Sequence, residues 1–361
     1  MPRLKLLQNV QGAMVNKTIS FYCLIILLSY LPTGGAFDYW QALPNSPIVP
    51  ENNPQSVEKI SLGKHLFFDP RLSINGDVSC NSCHNLALGG DDDGAAMKMK
   101  GRKIKRSAPS LWNVGYMSTY FWDSRATSLE NQAKEHLLDP NIMAMENEQI
   151  LVNRLNSIPG YQSLFTNAFK KEKIDLTRIA MALASFQRSL IVPDSRADQF
   201  IQGNKSALTA KEQRGYHLFQ EQGCLSCHFG TNFAGPAPGP GLKMGDGFFE
   251  LYPTIRGSLY EEKYDMISDL GRFHVTLDPE HKLMWRVPSL RNIADSAPYF
   301  HNNAVNDLHE AVRVMNRVQF NYPITESQVD DIVSFLQTLT GIYPKIDLPK
   351  LPDTSGTSLL H

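Results

Sequence analysis

The chain has 361 residues, hydrophobic residues make up 42 % of it, and its formal net charge is −1. This length allows about two domains of roughly 150 residues each. The composition allows a packed core, so disorder is not the default expectation. The near-neutral charge, without a long basic run, argues against a nucleic-acid partner.

The first 36 residues have the layout of a secretory signal peptide. The start is basic without acidic residues, an apolar run covers residues 19–31, and small residues at Gly34 and Ala36 suit cleavage after Ala36. The apolar run is short for a membrane span, so an uncleaved anchor is the less favoured alternative. We therefore expect a cleaved signal peptide and an exported chain.

Helical patterns dominate the rest of the chain. Apolar residues recur at helical spacing over Ser128–Leu138 and Leu176–Leu190. Two later helices begin with a threonine that opens a capping box, at Thr209 and Thr325. The second is predicted to run to about Thr340, where Gly341 stops it. Strand signals are few and short, so the predicted fold class is mostly α.

Each half of the chain carries one Cys-x-x-Cys-His motif. In such a motif the two thiols form thioethers with one haem, and the histidine supplies the proximal nitrogen to its iron. The remaining cysteine, Cys23, lies in the predicted signal peptide, so none is left for a disulfide or a zinc site. Two covalent haems c are predicted, and two redox-active CxxC pairs are the less favoured alternative. The haem-binding residues would be Cys80, Cys83, His84, Cys224, Cys227 and His228.

A short repeat precedes each haem motif, GKHLF over residues 63–67 and GYHLF over residues 215–219. We interpret the chain as two cytochrome c-like domains, each binding one haem. Bacterial haem attachment of this type is completed outside the cytoplasm, which favours the periplasm. The predicted organisation is a signal peptide over 1–36, an N-terminal domain over 37–205, a C-terminal domain over 206–343 and a tail over 344–361.

Several further segments follow one another in a specific order. They read LGKHLFFDPRLS (62–73), FWDSRA (121–126), GRF (271–273), PSLRNI (288–293) and APYFH (297–301). With these segments and its haem motifs, the chain resembles the bacterial di-haem cytochrome c peroxidase and MauG family over nearly all of the mature sequence.

The resemblance implies a division of labour between the two haems. The C-terminal haem, bound by His228 with Met315 as its sixth ligand, would accept electrons at high potential. The N-terminal haem, bound by His84, would be the peroxidatic one. Trp122 falls where the family has an electron relay between the haems. Without the resemblance, Met315 and Trp122 read as buried packing residues.

Three more residues are expected near the haems. His301 lies in the family's Pro-Tyr-Phe-His stretch, which places it close to the second haem. Arg125 and Arg291 are candidates for pairing with haem propionates, because the guanidinium group binds carboxylates through two hydrogen bonds. Ordinary surface ion pairs are the alternative for both arginines.

The resemblance also implies a calcium ion between the domains, at Ser107, Ser296 and Pro298. The family usually has Asn at the first of these positions, so Ser107 departs from its pattern. Family members are often homodimers.

Two departures concern the distal side of the N-terminal haem. Many family peroxidases have a distal histidine soon after the first haem motif, whereas this chain has none between His84 and His136. The sequence predicts a haem that is open to peroxide, and the rival hypothesis is ligation by Met97, Met99 or Lys100.

The second departure is Ile142, which occupies the position of a glutamate that moves a proton between the peroxide oxygens. Isoleucine cannot transfer a proton, so His136, Glu135 or Glu146 is expected to replace it. His136 is the preferred candidate because the charge of histidine changes near neutral pH. A histidine on a helix surface is the plain alternative.

The leading functional prediction is a periplasmic peroxidase that reduces hydrogen peroxide with electrons from a small mono-haem cytochrome or a copper protein. The missing glutamate and the open haem leave a second reading, a MauG-like oxidase that uses peroxide to oxidise Trp or Tyr of a substrate protein. A non-enzymatic electron carrier would require both haems to be six-coordinate and inert to peroxide.

Overall fold

The computed structural model describes residues 40–91, 94, 104–170, 173–236, 245, 247–354 and 356. The predicted signal peptide and the rival ligands Met97, Met99 and Lys100 lie outside these residues. In the part of the chain that is described, no helix combines the length and the apolar character that crossing a membrane requires.

The described residues are mostly helical, as predicted, with two short strands that pair antiparallel, Phe249 opposite Arg286. A π-helical turn over Asn316–Phe320 continues the helix that ends at Met315. The elements are α1 (Val57–Phe68), α2 (Cys80–Cys83), α3 (Leu129–Leu138), α4 (Glu148–Asn156), α5 (Pro159–Phe169), α6 (Leu176–Arg188), α7 (Arg196–Ile201), α8 (Ala210–Glu221), β1 (Phe249–Leu251), α9 (Leu259–Lys263), α10 (Phe273–Thr276), β2 (Met284–Arg286), α11 (Leu308–Met315) and α12 (Glu326–Gln337).

The four helices predicted from the sequence are confirmed as α3, α6, α8 and α12. Thr209 and Thr325 form the predicted capping boxes at the starts of α8 and α12. Helix α12 ends three residues before the predicted Thr340. The backbone from Thr338 to Thr340 instead makes tighter bonds to carbonyls three residues back, which is a common way to satisfy the last carbonyls of a helix.

The short repeat before each haem motif has the same packing role in both halves. Gly63 of α1 lies directly on the carbonyl of Ala182 in α6, and Gly215 of α8 lies directly on the carbonyl of Asp331 in α12. A Cβ atom at either glycine would overlap that carbonyl. The repeated glycine thus lets a helix pair approach closely in each half.

Two large hydrophobic cores accompany these helix pairs. The first is built on α1, α3 and α6, and the second on α8 and α12. Trp40, Ala197 and Phe200 pack in the second core although they precede position 206. The boundary between 205 and 206 stays a prediction.

Candidate functional site

The first haem motif forms α2 and leads directly to a buried histidine. Ser79 and Ser82 form a capping box that fixes the start of this short helix. His84 follows, and its Nδ1–H donates to the carbonyl of Pro109 at 3.0 Å. Burial lowers the pKa of His84 to about 4. The ring is therefore neutral and keeps Nε2 available to a metal.

The second motif reaches the same arrangement by a different local route. Gly223, with φ 84°, turns the chain from α8 into a 3₁₀ turn over Cys224–Ser226. The Nδ1–H of His228 donates to the carbonyl of Phe233 at 2.8 Å. Burial lowers the pKa of His228 to about 4, so this imidazole is also neutral and its Nε2 is available to a metal.

A cavity of about 1540 Å³ connects the two motifs. Burial raises the pKa of the Cys80 and Cys224 thiols to about 12. Because a c-type haem needs two thiols and one histidine nitrogen, the residues of each motif fit one such group. The cavity lining includes Cys83, His84, Cys224, Cys227, His228 and Met315.

Met315 is the last residue of α11 and lines the cavity. Its neighbour Val314 is buried in a third hydrophobic core, which anchors this end of the helix. The π-helical turn that begins at Asn316 widens the backbone immediately after Met315, and turns of this kind are frequent at functional sites.

Trp122 makes hydrogen bonds to residues in both halves of the chain. Its Nε1–H donates to the carbonyl of Ser107 at 2.9 Å, and its own carbonyl accepts from the backbone N–H of Arg286 at 3.0 Å. The preceding residue, Phe121, has φ 65°, a conformation that bulky residues rarely adopt. These contacts hold the indole of Trp122 at the cavity wall.

His301 belongs to an aromatic cluster rather than to the haem motifs. Its ring stacks on Trp285 with 4.1 Å between centroids, and it meets Trp122 edge-on at 6.4 Å. Burial lowers the pKa of His301 to about 4. The imidazole is thus a neutral member of the packing that surrounds Trp122.

The two arginines expected to bind propionates have protein partners in the structure. Arg125 donates to Asp123 at 3.1 Å and to Glu135 at 3.1 Å, and its guanidinium lies 3.4 Å from the centre of the Phe121 ring. Arg291 forms a two-point ion pair with Asp198 at 2.8 and 2.9 Å. Asp198 supplies the carboxylate that the buried guanidinium of Arg291 needs. Both arginines line the cavity, and their pairing with propionates stays a prediction.

Sequence reasoning missed Arg286, a buried guanidinium that lines the cavity. It donates to the carbonyls of Phe121 at 3.0 Å and Val287 at 3.3 Å. Among the described residues, no carboxylate lies within ion-pair distance of it, and desolvation lowers its pKa to about 10. A buried cation requires an anion, and a haem propionate is the anion that the motifs would bring. The sequence holds no signal that separates Arg286 from its neighbours.

His136 faces the first haem motif from the last turn of α3. Its ring centroid lies 6.0 Å from that of His84 and 5.8 Å from that of Phe121, on which it stacks. The Nδ1 atom of His136 lies 3.0 Å from the side-chain amide of Gln132, one turn earlier. Ile142 lines the same cavity. The structure therefore brings His136 to the haem pocket and not to the outer surface of the helix.

The charge expected for His136 needs a correction. Burial, with smaller effects from His84 and Arg125, lowers the pKa of His136 to about 3, so the ring is neutral at pH 7 and does not change charge near neutrality. The two alternative acids are exposed: Glu135 pairs with Arg125, and Glu146 lies outside the cavity lining.

The three positions expected to bind calcium, Ser107, Ser296 and Pro298, all line the cavity. The Ser107 carbonyl accepts from Trp122, and its N–H donates to the carbonyl of His301 at 2.7 Å. Across the described ranges, no group of three or more His, Cys, Asp or Glu residues could hold a metal ion. Calcium stays a prediction.

Comparison with protein families gives two matches that together span most of the chain. Residues 57–206 match the model described as di-haem cytochrome c peroxidase. Residues 212–340 match the model described as cytochrome c. The two matches contain the first and second haem motif, respectively.

Individual proteins agree with the family models. The chain is 37 % identical to cytochrome c551 peroxidase of Nitrosomonas europaea, over 86 % of this chain and 89 % of that protein. It is 33 % identical to the methylamine utilization protein MauG of Methylorubrum extorquens, over 86 % of each. A crystal structure of a MauG-like protein associated with microbial copper homeostasis superposes with a TM-score of 0.70 and 30 % identity, covering 83 % of this chain and 95 % of that one.

Proposed function

Because the chain belongs to the di-haem cytochrome c peroxidase family and is an oxidoreductase of the cytochrome c peroxidase type, we propose that it reduces hydrogen peroxide to water in the periplasm. The electrons would come from a small mono-haem cytochrome or a copper protein. The observation that carries the proposal is a neutral histidine, His136, held opposite His84 in the cavity that both haem motifs share.

The two haems supply single-electron chemistry and a site for peroxide at the His84 side. One peroxide, two electrons and two protons give two water molecules, so the chain must deliver protons to the oxygens that separate. Ile142 cannot do so, and His136 is the polar side chain that replaces the usual glutamate. Its Nε2 would take a proton from one peroxide oxygen and return it to the other.

The other residues position these groups. Gln132 holds Nδ1 of His136 and thereby fixes the orientation of the ring. Trp122 carries electrons between the two haem sites, and Met315 completes the electron-accepting site on the His228 side. Arg286, which donates to the carbonyl of Phe121, would hold a haem propionate.

A second candidate is oxidation of a Trp or Tyr in a substrate protein, as in a MauG-like oxidase. The observation that favours it is the aromatic cluster of Trp122, Trp285 and His301 beside the cavity. Such a cluster offers a route for electrons drawn from outside. Adding peroxide together with the protein encoded beside this chain, and analysing that protein by mass spectrometry, would reveal it.

The test of the peroxidase proposal is steady-state peroxide reduction by the holoprotein, with a reduced mono-haem cytochrome as donor. We expect His136→Ala to lower kcat by about 10²–10⁴-fold, which is the usual range for loss of an acid–base group. The matched control is His217→Ala, since His217 is exposed on α8. Wild-type holoprotein that never turns over peroxide, even when half-reduced, would refute the proposal.

A further inference from the structure

We infer that His136 is the second axial ligand of the N-terminal haem iron in the resting protein, opposite His84. The inference rests on the proposed function, since it concerns the haem at which peroxide would react. It replaces both expectations from the sequence, an open haem and a ligand from the segment that contains Met97, Met99 and Lys100.

The separation of the two rings carries the inference. Two metal–imidazole bonds of about the zinc–imidazole length of 2.0–2.1 Å, plus about 1.15 Å from each nitrogen to its ring centre, give a centroid separation of roughly 6.4 Å. The rings of His84 and His136 are 6.0 Å apart. A water molecule between iron and ring would add a hydrogen bond of about 2.7–3.0 Å, which would need a wider gap.

Ligation through Nε2 requires a proton on Nδ1 of each ring. Nδ1 of His84 donates to the carbonyl of Pro109, and Nδ1 of His136 lies 3.0 Å from the side-chain nitrogen of Gln132, whose oxygen has no partner. The amide can present its oxygen or its nitrogen to that atom. With the oxygen turned to Nδ1, the proton stays there and the Nε2 lone pair points to the metal. Metal-binding histidines nearly always have such a partner on the second nitrogen.

The element that carries His136 distinguishes this ligand from one on a loop. Helix α3 is anchored by the buried side chains of Leu129, Ala133 and Leu137 and packs against α6. The backbone therefore keeps the imidazole near the iron even when the bond breaks. Peroxide would enter once the His136 side chain rotates away, and the released Nε2 would stay within reach to transfer protons.

The experiment is electron paramagnetic resonance and absorption spectroscopy of the oxidised holoprotein. We expect two low-spin haems in the wild type, and one high-spin and one low-spin haem in His136→Ala. Added imidazole should return the high-spin haem of the variant to low spin. His217→Ala serves as the control and should retain two low-spin haems.

A second variant keeps the test decisive if His136→Ala fails to fold. His136→Met offers a different ligand, so it should stay low-spin with altered spectral parameters. A high-spin haem in the wild type, or two low-spin haems in His136→Ala without imidazole, would overturn the inference. The proposed function is judged separately: turnover with a high-spin resting haem would support it and refute the axial ligand, and low-spin protein without turnover would do the reverse.

Discussion

The two haem sites are alike on the proximal side and different on the distal side. His84 and His228 each donate Nδ1–H to a backbone carbonyl, and burial lowers the pKa of both to about 4. On the distal side, His136 of α3 faces His84 with 6.0 Å between the ring centroids, and Met315 of α11, the ligand proposed for the second site, lines the same cavity. The duplicated architecture thus fixes how each haem would be held, and later helices decide what its iron can do.

The distal helices also differ in their surroundings. Helix α3 carries Gln132 and His136 on one face toward the cavity, so the first site contains the imidazole proposed to transfer protons and an amide that contacts it. Helix α11 ends at Met315 and passes into a π-helical turn. A thioether moves no proton and raises the potential of a haem iron. If Met315 binds the iron as proposed, the first site is suited to peroxide chemistry and the second to electron entry.

Met315→His is the most direct way to break this difference. Replacing the thioether by an imidazole should lower the potential of the C-terminal haem by a large fraction of the roughly 0.8 V range that axial ligands span. Spectroelectrochemical titration of both haems measures the change. If Met315→His leaves both midpoints in place, Met315 does not bind the iron.

Arg291→Met tests how much the buried ion pair of Arg291 and Asp198 contributes to the free energy of unfolding. The side chains of Arg291 and Asp198 are 1 % and 3 % exposed. Without Arg291, the carboxylate of Asp198 stays buried and unpaired, and the free energy of unfolding should fall by about 3–5 kcal/mol. The counterpart in the first half is Arg188→Met, which should cost less because Glu130 is 15 % exposed.

Thermal unfolding of both variants over a range of pH gives the measurement. Burial alone would raise the pKa of Asp198, but Arg291, Ser195 and the Leu43 N–H bring it below the usual value. The stability from this pair is therefore fully present above the ordinary aspartate pKa and is lost as the pH falls through the lowered one. The Arg291→Met variant should lack this acid dependence, and equal losses in the two arginine variants would contradict the comparison.

The sequence predicts what local chemistry determines. A capping box needs two residues three positions apart, so the sequence at Thr209 and Thr325 predicts where the two helices begin. A haem motif is likewise contained within five residues. The surroundings of Arg291 and His136 depend instead on residues that are distant in the sequence. Asp198 is 93 residues from Arg291 along the chain, and the low pKa of His136 arises from burial in a cavity that several elements enclose. Only the folded chain brings such groups together, so the sequence could nominate them but not their partners.

Arg286→Met tests the buried cation that lines the cavity shared by the two haem motifs. No described carboxylate pairs with Arg286, so its removal leaves no carboxylate of the protein unpaired. The free energy of unfolding should therefore fall less than in Arg291→Met. A positive charge close to a haem favours the reduced iron, and its loss should lower at least one midpoint potential by tens of mV, against about 59 mV for a tenfold change in a one-electron equilibrium. The control for the midpoints is Arg214→Met, an arginine that is 60 % exposed on α8; its stability is not compared, because its loss leaves the buried Asp331 unpaired. Unchanged midpoints, with a stability loss equal to that of Arg291→Met, would show that Arg286 is a structural residue and that the propionates bind elsewhere.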